Sequence, residues 1–593
     1  MHLKTAVIIC MLLCLPLSYE APAAESITDL KNAAVVLNIS RRNSAPYTEV
    51  NAVLHSLDIL GIQHIETEDV ATATKYPLIV IAGDIRNTTF TRSEQEEIFR
   101  YVESGGTLLA PVVTGNKYFS LFGIKQPADS NKRFAIEFKE SSTDDSLKYL
   151  DRKEERSISL GNKKLYSETI WTHSCELKDA KSLGTTEDGL SVFSVNQYGE
   201  GLAYMLGVSF TGVVLQPHVG NDYEAQRTWI NRFEPGSDVF LMILKAVYEK
   251  AISPYVYLST IPYGYKTALI LSHDVDAQLS FRNSIDYAEL EKRFGVRSTF
   301  FVTTKYFKDE MDIGYYETER ISYMRKVKEL GGDVQSHTVT HSINFDLFPV
   351  GAQNTTKAVY NPLEAPTVFG ELLVSKELLD RDIPGQNTIS FRAGDLRYPE
   401  RLIEVMEKSG YKYDSTFSAN DIMCNFAYRA LKQRRAGADN SSIVEIPVTF
   451  DDSQGYVNLE NYKDMVKLWI DVIWANADNE AISVLLLHTS ETAYKLKSEE
   501  LLLQALQGKD IWIGDLTTYG DFWNERSNVR YNVAMQNGTL FIRMQSAEIP
   551  DRVSFVIGKS PEIKSIELLD SKNRKIKFKE SERGNKIFLR III

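Results

Sequence analysis

The stretch Leu271-Ser272-His273-Asp274-Val275-Asp276 ends an apolar run of strand type and places two carboxylates two positions apart. Side chains two positions apart on a strand face the same side. The pattern therefore predicts that Asp274 and Asp276 point together into one cleft, while His273 points away from it. Two hydrated carboxylates on a surface loop are the plainer alternative, and the histidines farther along the chain favour the cleft.

Three further histidines stand at the ends of predicted strands. His337 and His341 are separated by Thr338-Val339-Thr340, and His488 closes an apolar run of leucines. Residues four apart meet on one helical face or in a tight turn, so both imidazoles can reach one ion. Together with Asp276, His337 and His341 supply the oxygen and nitrogen ligands of a catalytic divalent metal with one open position. The pattern predicts Zn²⁺, with Co²⁺ or Ni²⁺ as alternatives, and hydrolysis as the reaction class.

From Lys266 to about Trp523 strand and helix signals alternate, which predicts an irregular (β/α) barrel with its chemistry at the strand carboxyl ends. The predicted strands are Thr267–Ser272, Ser298–Thr303, Asp333–Ser336, Thr388–Phe391, Ile443–Phe450, Ile482–His488 and Ile511–Leu516. The predicted helices between them include Glu317–Leu330, Ala365–Leu379 and Glu400–Lys408. The metal-type residues fall at the ends of these strands, which supports both predictions at once.

The flanking segments differ from the barrel pattern, and the predicted fold class is multi-domain α/β. Residues 25–255 alternate buried-type strands and helices, which predicts an open parallel α/β sheet domain without a nucleophile motif. Residues 256–525 hold the barrel. From 526 to 593 short strands with turn residues between them, including the hairpin signal Asn537-Gly538, predict a small all-β domain of sandwich type.

The first 24 residues have the form of a secretory signal peptide. Lys4 precedes an apolar run from Ala6 to Leu17, and small residues follow at Ala21, Ala23 and Ala24. The run is shorter than the roughly 20 residues that span a bilayer. The sequence thus predicts an exported protein, periplasmic or extracellular, with no transmembrane segment in its mature part.

The net charge argues against one class of partner, and the cysteine content argues against a disulfide scaffold. The net charge of −12 argues against a nucleic-acid partner, which would favour a basic face. Only Cys175 and Cys424 remain after residue 24. They form either one disulfide or two separate buried thiols, and two cysteines do not make a disulfide scaffold in a chain of this length.

The barrel motifs resemble, in order, those of the polysaccharide deacetylases of NodB type, carbohydrate esterase family 4. The resemblance covers roughly Lys266 to Trp523. It implies that Asp274 is the general base and that Asp276, His337 and His341 bind the metal. The adjacent Asp pair of the family is split here, so the ligand Asp276 is displaced by one residue.

Three more positions take their roles from this resemblance. Arg392, in Phe391-Arg392-Ala393-Gly394-Asp395, would orient Asp274. His488 would act as the general acid, and Asp414, in Tyr413-Asp414-Ser415, would tune it. A structural arginine and a core histidine are the plainer alternatives for Arg392 and His488.

The resemblance implies an enzyme that removes N-acetyl groups from the amino sugars of a polysaccharide. Residues 25–255 similarly resemble the glutamine-amidotransferase-like or flavodoxin-like modules of glycan-processing enzymes. Two alternatives stay open: a hydrolase of a non-glycan amide or an O-acetyl ester on the same barrel, and a catalytically silent glycan-binding or scaffold protein. The long segment 342–366 is either a lid or binding loop or an ordinary surface excursion.

Overall fold

The computed structural model describes residues 28–592 except 165–168, 221–230, 311–312, 454–456 and 547–548. The predicted signal peptide, residues 1–24, lies outside the described residues. Among the helices that are described, none is long and apolar enough to cross a membrane. Cys175 and Cys424 are both buried and free, so the alternative of two separate thiols holds.

The middle of the chain forms a ring of parallel strands. Its nine strands are β1 Thr267–Val275, β2 Thr299–Val302, β3 Asp333–Ser336, β4 Ser390–Phe391, β5 Tyr413–Asp414, β6 Asn440–Glu445, β7 Phe450–Asp451, β8 Ile482–His488 and β9 Ile511–Gly514. Strands β1 to β5 lie side by side in chain order, β8 pairs with the other side of β1, and β7 pairs with β8. Each of these pairings is parallel.

One continuous segment, residues 440–451, closes the ring. Its first part, β6, pairs with β5, where Glu445 lies opposite Asp414. Its last part, β7, pairs with β8, where Phe450 lies opposite Leu485. The strands therefore form a closed, irregular barrel, and the strand predicted as one unit from Ile443 to Phe450 is divided between two neighbours. Strand β9 pairs with the first half of β1, and an extra strand, Tyr428–Leu431, runs antiparallel to β6.

Helices surround the barrel and cover its outer face. They are Gln278–Phe294, Thr318–Leu330, Val368–Asp382, Leu402–Lys408, Ala419–Ile422, Tyr462–Asp478, Lys497–Leu506 and Leu516–Ser527. Alternate side chains of β1 face opposite sides: Ile270 packs with Phe301 inside the barrel, whereas Leu271 packs against the helices. The same alternation carries Asp274 inward and His273 outward.

The N-terminal region contains a nine-stranded sheet. In spatial order its strands are Ser157–Ser159, Ala135–Phe138, Lys181–Thr186, Ser191–Tyr198, Gly201–Met205, Thr107–Ala110, Leu78–Ala82, Ala34–Asn38 and His64–Thr67. The helices on its two faces are Thr48–Leu60, Val70–Ala73, Arg92–Glu103, Phe119–Phe122, Lys153–Arg156, Gln216–His218 and Gly236–Ala251. Two small strand pairs stand apart from it, Asp84–Ile85 with Val112–Val113 and Ala128–Ser130 with Thr172–Ser174.

The prediction of an open parallel sheet is correct for only half of this domain. The five strands from Gly201–Met205 to His64–Thr67 are parallel. The other four, all from residues 135–198, pair antiparallel. Tight turns connect part of this half, with positive φ at Gly189 and Gly199, and antiparallel neighbours need no crossover helix.

Two four-stranded sheets form the C-terminal region. The first contains Thr28–Asp29, Tyr531–Gln536, Thr539–Met544 and Ser565–Leu569, and the second contains Val256–Leu258, Ser554–Gly558, Lys586–Ile591 and Phe578–Arg583. Tyr531 and Phe555 join the two across a shared core, with ring centroids 5.1 Å apart. Asn537 and Gly538 both have positive φ, as the predicted hairpin turn requires. Each sheet thus takes one strand from outside residues 526–593.

A buried ionic network joins the three regions. Lys245, on the N-terminal helix Gly236–Ala251, lies 2.7 Å from the Glu480 carboxylate of the barrel. Lys586, from the C-terminal region, lies 2.6 Å from the other oxygen of Glu480. Lys586 also lies 3.4 Å from Glu249. Because each charge has an opposite partner, the network holds the three regions in one arrangement.

Candidate active site

Six of the seven predicted site residues meet at the carboxyl end of the barrel, and Asp414 is the exception. Asp274, near the end of β1, lies in register with His488 at the end of β8 and with Phe301 on β2. His337 follows the last residue of β3, and Arg392 follows the last residue of β4. The ends of β8, β1, β3 and β4, four of five consecutive strands, therefore bring these side chains to one place, as the barrel prediction requires.

Asp274 and Arg392 form a buried ion pair. Arg392 Nη1 donates to Asp274 Oδ1 at 2.9 Å, and Nη2 donates to the hydroxyls of Ser272 and Ser415 at 2.9 and 3.0 Å. The guanidinium also lies over the ring of Phe301, 4.5 Å from its centroid. Burial alone would raise the pKa of Asp274, but His337 and then Arg392 outweigh it and lower the pKa to about 2. Asp274 is therefore ionised throughout the neutral range.

His337 presents one free nitrogen to the site. Its Nδ1 lies 2.8 Å from the carbonyl oxygen of Arg392. A carbonyl can only accept, so Nδ1 carries the proton and Nε2 presents its lone pair. Nε2 is buried without a hydrogen-bond partner and lies 3.5 Å from Asp274 Oδ2. Burial lowers the pKa of His337 to about 4, which keeps the imidazole neutral, the form that binds metals.

A strained turn carries His341 back over His337. Thr338 and His341 both have positive φ, 68° and 53°, a conformation that side chains with a Cβ rarely adopt. The buried carboxylate of Glu371 offsets this cost by accepting from the backbone N–H groups of Val339 and Thr340, each at 2.8 Å. The two imidazole rings stand with their centroids 4.9 Å apart. The His-x-x-x-His spacing is thus realised by a turn and not by a helix.

The mouth of the site is formed by Asp276, His341 and His488, whose side chains are about one-fifth exposed. Asp276 Oδ2 lies 3.8 Å from His341 Nε2 and 3.6 Å from His488 Nε2. Gly394 forms the floor under His341, because a Cβ at that position would lie 2.8 Å from the imidazole Cδ2. Gly394, in the stretch Phe391–Asp395, therefore leaves room for the imidazole of His341.

The predicted metal ligands suit a divalent cation in chemistry and approximate spacing. Two ligands of a tetrahedral Zn²⁺ site lie about 3.3 Å apart, and the Asp276–His341 distance of 3.8 Å is within a side-chain rotation of this value. A contact such as that of His337 Nδ1 with a backbone carbonyl orients the imidazole ring, and it is typical of histidines that bind metals. Asp276, His337 and His341 do not yet have all their ligand atoms within 4.8 Å of one another. A shared ion therefore requires at least one of the three side chains to rotate.

The carboxylate that contacts His488 is that of Asp452, and the prediction for Asp414 is wrong. His488 Nδ1 lies 2.6 Å from Asp452 Oδ1, and the backbone N–H of His488 donates to Asp452 Oδ2 at 3.1 Å. Asp452 directly follows β7, the strand paired with β8, whereas Asp414 is on β5. The signal in the sequence was the Asp451-Asp452 pair at the end of an apolar run.

Charge on Asp452 and on the site carboxylates acts directly on His488. Burial would lower the pKa of His488, but Asp452, Asp276 and Asp274 raise it to about 10. The imidazole is therefore protonated at neutral pH. Its Nε2–H points to the mouth of the site, where it can donate a proton.

Asp414 lies beneath Arg392 in the barrel interior. Its Oδ1 accepts from the Thr416 hydroxyl at 2.6 Å, and it forms a coupled pair with Glu445 on the neighbouring strand. Burial raises the pKa of Asp414 to about 6 and also raises the pKa of Glu445. The Asp414 carboxyl therefore contacts Thr416 and takes no part in orienting His488.

His273 lies behind the barrel wall, as the alternation along β1 predicts. Its Nε2 lies 2.7 Å from Glu291 and 3.7 Å from Glu499, and all three side chains are buried. Glu291 and Glu499 belong to two outer helices. Burial, followed by the charge of Glu291, raises the pKa of Glu499 well above its usual range. This cluster lies outside the barrel wall and takes no part in the site.

The long segment 342–366 is partly built into the barrel. Phe345 and Tyr360 are buried, and the Tyr360 hydroxyl donates to Glu371 at 2.5 Å, which supports the strained turn next to His341. In contrast, Leu347 and Val359 are about three-quarters exposed. The segment is therefore an anchored excursion beside the site, with apolar side chains on its outer face.

No family model and no curated protein matches the chain. Among solved structures, a Mycobacterium smegmatis protein assigned as a polysaccharide deacetylase is 17% identical, with a TM-score of 0.35 over 44% of this chain and 92% of its own. A family 4 carbohydrate esterase from Streptomyces lividans, in complex with acetate, is 14% identical, with a TM-score of 0.26 over 42% and 93%. A pseudoenzyme of the same family from Bacillus anthracis is 13% identical, with a TM-score of 0.27 over 44% and 66%. These values are low, and the case for a function rests on the side chains of the site.

Proposed function

We propose that the protein is an exported, metal-dependent deacetylase that removes N-acetyl groups from amino sugars of a polysaccharide. The observation that carries the proposal is the meeting of two differently tuned groups at one barrel mouth. Asp274 is ionised with a pKa of about 2, and His488 is protonated with a pKa of about 10. Groups whose pKa values are pushed apart in this way are suited to serve as base and acid in one reaction.

The base side of the reaction is assigned to Asp274. Its Oδ1 is held by Arg392, which leaves Oδ2, on the side of His337, to accept a proton from the attacking water. A carboxylate with so low a pKa is a weak base, so the water must be acidified by another group. A divalent cation held by Asp276, His337 and His341 would supply that acidity and polarise the acetamide carbonyl.

The acid side of the reaction is assigned to His488. Asp452 accepts from Nδ1, which fixes the ring and leaves Nε2–H directed at the mouth of the site. When the C–N bond of the tetrahedral adduct breaks, this proton passes to the amine nitrogen. Acetate and a free amino sugar leave. Asp274 then releases the proton that it accepted and His488 takes one up, so both groups return to their starting states.

The glycan substrate is proposed from the resemblance of the motifs that hold Asp274, His337, His341 and His488 to those of the polysaccharide deacetylases. A silent scaffold is the second candidate. The completeness of the base, acid and ligand set argues against it. An O-acetyl ester hydrolase would use the same groups, with a weaker need for His488 because an alkoxide is protonated readily by water.

The test is acetate release from N-acetylhexosamine oligomers and, in parallel, from an O-acetylated xylan oligomer. We expect the N-acetylated oligomers to be deacetylated by protein loaded with Zn²⁺ or Co²⁺, and the activity to disappear with a chelator. Faster release from the O-acetylated oligomer would assign the ester reaction. No release from any oligomer by metal-loaded protein would leave the scaffold role.

A further inference from the structure

A buried lysine lies behind the Asp452–His488 pair. Lys495 Nζ is 2.7 Å from Asp452 Oδ2. Asp452 is almost fully buried, and Lys495 is 9% exposed. The three side chains therefore form a line in which Lys495 contacts Asp452 and Asp452 contacts His488.

The two oxygens of Asp452 have separate tasks. Oδ1 accepts from His488 Nδ1 at 2.6 Å, and Oδ2 accepts from Lys495 and from the backbone N–H of His488. A carboxylate attached through a single sp³–sp² bond has a broad torsional minimum, so its orientation depends on the donors at both oxygens. Lys495 adds a charge-assisted donor at Oδ2 to the neutral backbone N–H of His488 and strengthens that orientation.

The lysine is itself fixed by its segment. It lies in a π-helical turn, Thr492–Leu496, that follows β8. Glu491 accepts from the backbone N–H of Ala493 at 2.6 Å, and the Tyr287 hydroxyl donates to the Glu491 carbonyl at 2.8 Å. Such turns often occur at functional sites because they displace one side chain from the regular helical path.

A lysine in this place also balances charge. A buried carboxylate without a cation is costly, and Lys495 leaves Asp452 paired with a cation after His488 has given up its proton. Because Lys495 is buried and engaged with Asp452, it is not available to bind a substrate anion. Its position serves the orientation of His488 and nothing at the surface.

We propose that Lys495 is a positioning residue for the reaction, acting through Asp452 on the general acid His488. This inference rests on the proposed function for its kinetic consequence. The geometric part, that Lys495 keeps the Asp452 carboxylate aligned with His488, stands independently of which substrate is hydrolysed.

The experiment compares Lys495→Met, which keeps the aliphatic stem but removes the charge, with Lys495→Arg, which keeps the charge. Lys497→Met, at an exposed lysine two residues away, is the matched control. In Lys495→Met we expect kcat for acetate release to fall about 10- to 100-fold, as for a misplaced catalytic group, with KM and bound metal unchanged. Lys495→Arg should recover most of the loss, and Lys497→Met should match the unmodified protein.

An unchanged kcat in Lys495→Met would overturn the proposal, and so would an equal loss in Lys495→Arg when both variants are folded and metal-loaded. If Lys495→Met does not fold, the Lys495→Gln and Lys495→Arg pair is compared in the same way. If the unmodified protein releases no acetate, the proposed function fails, and crystal structures decide the geometric part. Rotation of the Asp452 carboxylate away from His488 Nδ1 in Lys495→Met would support it, and an unchanged contact would overturn it.

Discussion

Asp452 Oδ1 lies 2.6 Å from His488 Nδ1, and this contact sets the state of the proposed general acid. It fixes the tautomer, since the carboxylate accepts from Nδ1 and leaves Nε2–H directed at the site. It also contributes most of the increase in the pKa of His488, after burial has acted in the opposite direction. Replacing this one carboxylate therefore tests the role that the motif resemblance implied for Asp414.

Asp452→Asn should lower kcat by about 10²- to 10⁴-fold and move the alkaline limb of the pH–rate profile to lower pH. The acid must be protonated to act, so activity is lost as the pH rises through the pKa of His488. Without the carboxylate that pKa falls. The measurement is the pH dependence of kcat for acetate release.

Asp414→Asn is the control for this change, because Asp414 contacts Thr416 and not His488. We expect its alkaline limb to coincide with that of the unmodified protein. A shifted limb in Asp414→Asn together with an unshifted limb in Asp452→Asn would restore the pairing predicted from the sequence.

The structure places Asp452 at His488 where the sequence predicted Asp414, and this difference shows which features a sequence pattern does not specify. The period of two along β1 was enough to place Asp274 and Asp276 on one side and His273 on the other. The apolar runs gave the bounds of β3 and β8 as the structure has them. These are local properties, and local patterns specify them.

Which strands become neighbours is not a local property. Segment 440–451 leaves β5 and joins β8 within a few residues, and no periodicity marks that change of partner. Asp452 and Lys495 acquire their roles only through this pairing. The antiparallel half of the N-terminal sheet was missed for the same reason, since its strands look alike in either direction.

Gly394→Ala should weaken metal binding without removing any ligand. The new Cβ would lie 2.8 Å from Cδ2 of His341, so the imidazole must move by several tenths of an ångström. We expect a loss of about 10- to 100-fold in affinity, as for other changes that reorient a ligand. Titration with Zn²⁺ against a competing chelator measures it, and Gly437→Ala, at a glycine whose added Cβ would make only an ordinary contact with Thr48, is a control for metal affinity. Equal affinities in all three proteins would remove His341 from the ligand set.

Glu480→Gln should lower the free energy of unfolding by about 3–5 kcal/mol, because it leaves Lys245 and Lys586 buried without their shared carboxylate. Burial opposes ionisation of Glu480, but the two lysines lower its pKa to about 2 from an ordinary value of 4.5. The stabilisation is therefore present above pH 4.5 and is lost as the pH falls toward 2. Denaturant unfolding at pH 7 and at pH 3 measures both effects. A variant as stable as the unmodified protein at pH 7 would show that the network does not hold the regions together.

The central proposal is that Asp274 is the base and Asp276 is a metal ligand, and one paired measurement tests it. Metal content and acetate release are determined for Asp274→Asn and Asp276→Asn on the same N-acetylated oligomer. We expect Asp274→Asn to retain close to one metal ion per chain while losing most of its turnover, and Asp276→Asn to lose the metal and the turnover together. Metal loss in Asp274→Asn with metal retained in Asp276→Asn would reverse the two roles, and full turnover in metal-loaded Asp274→Asn would contradict the assignment of the base.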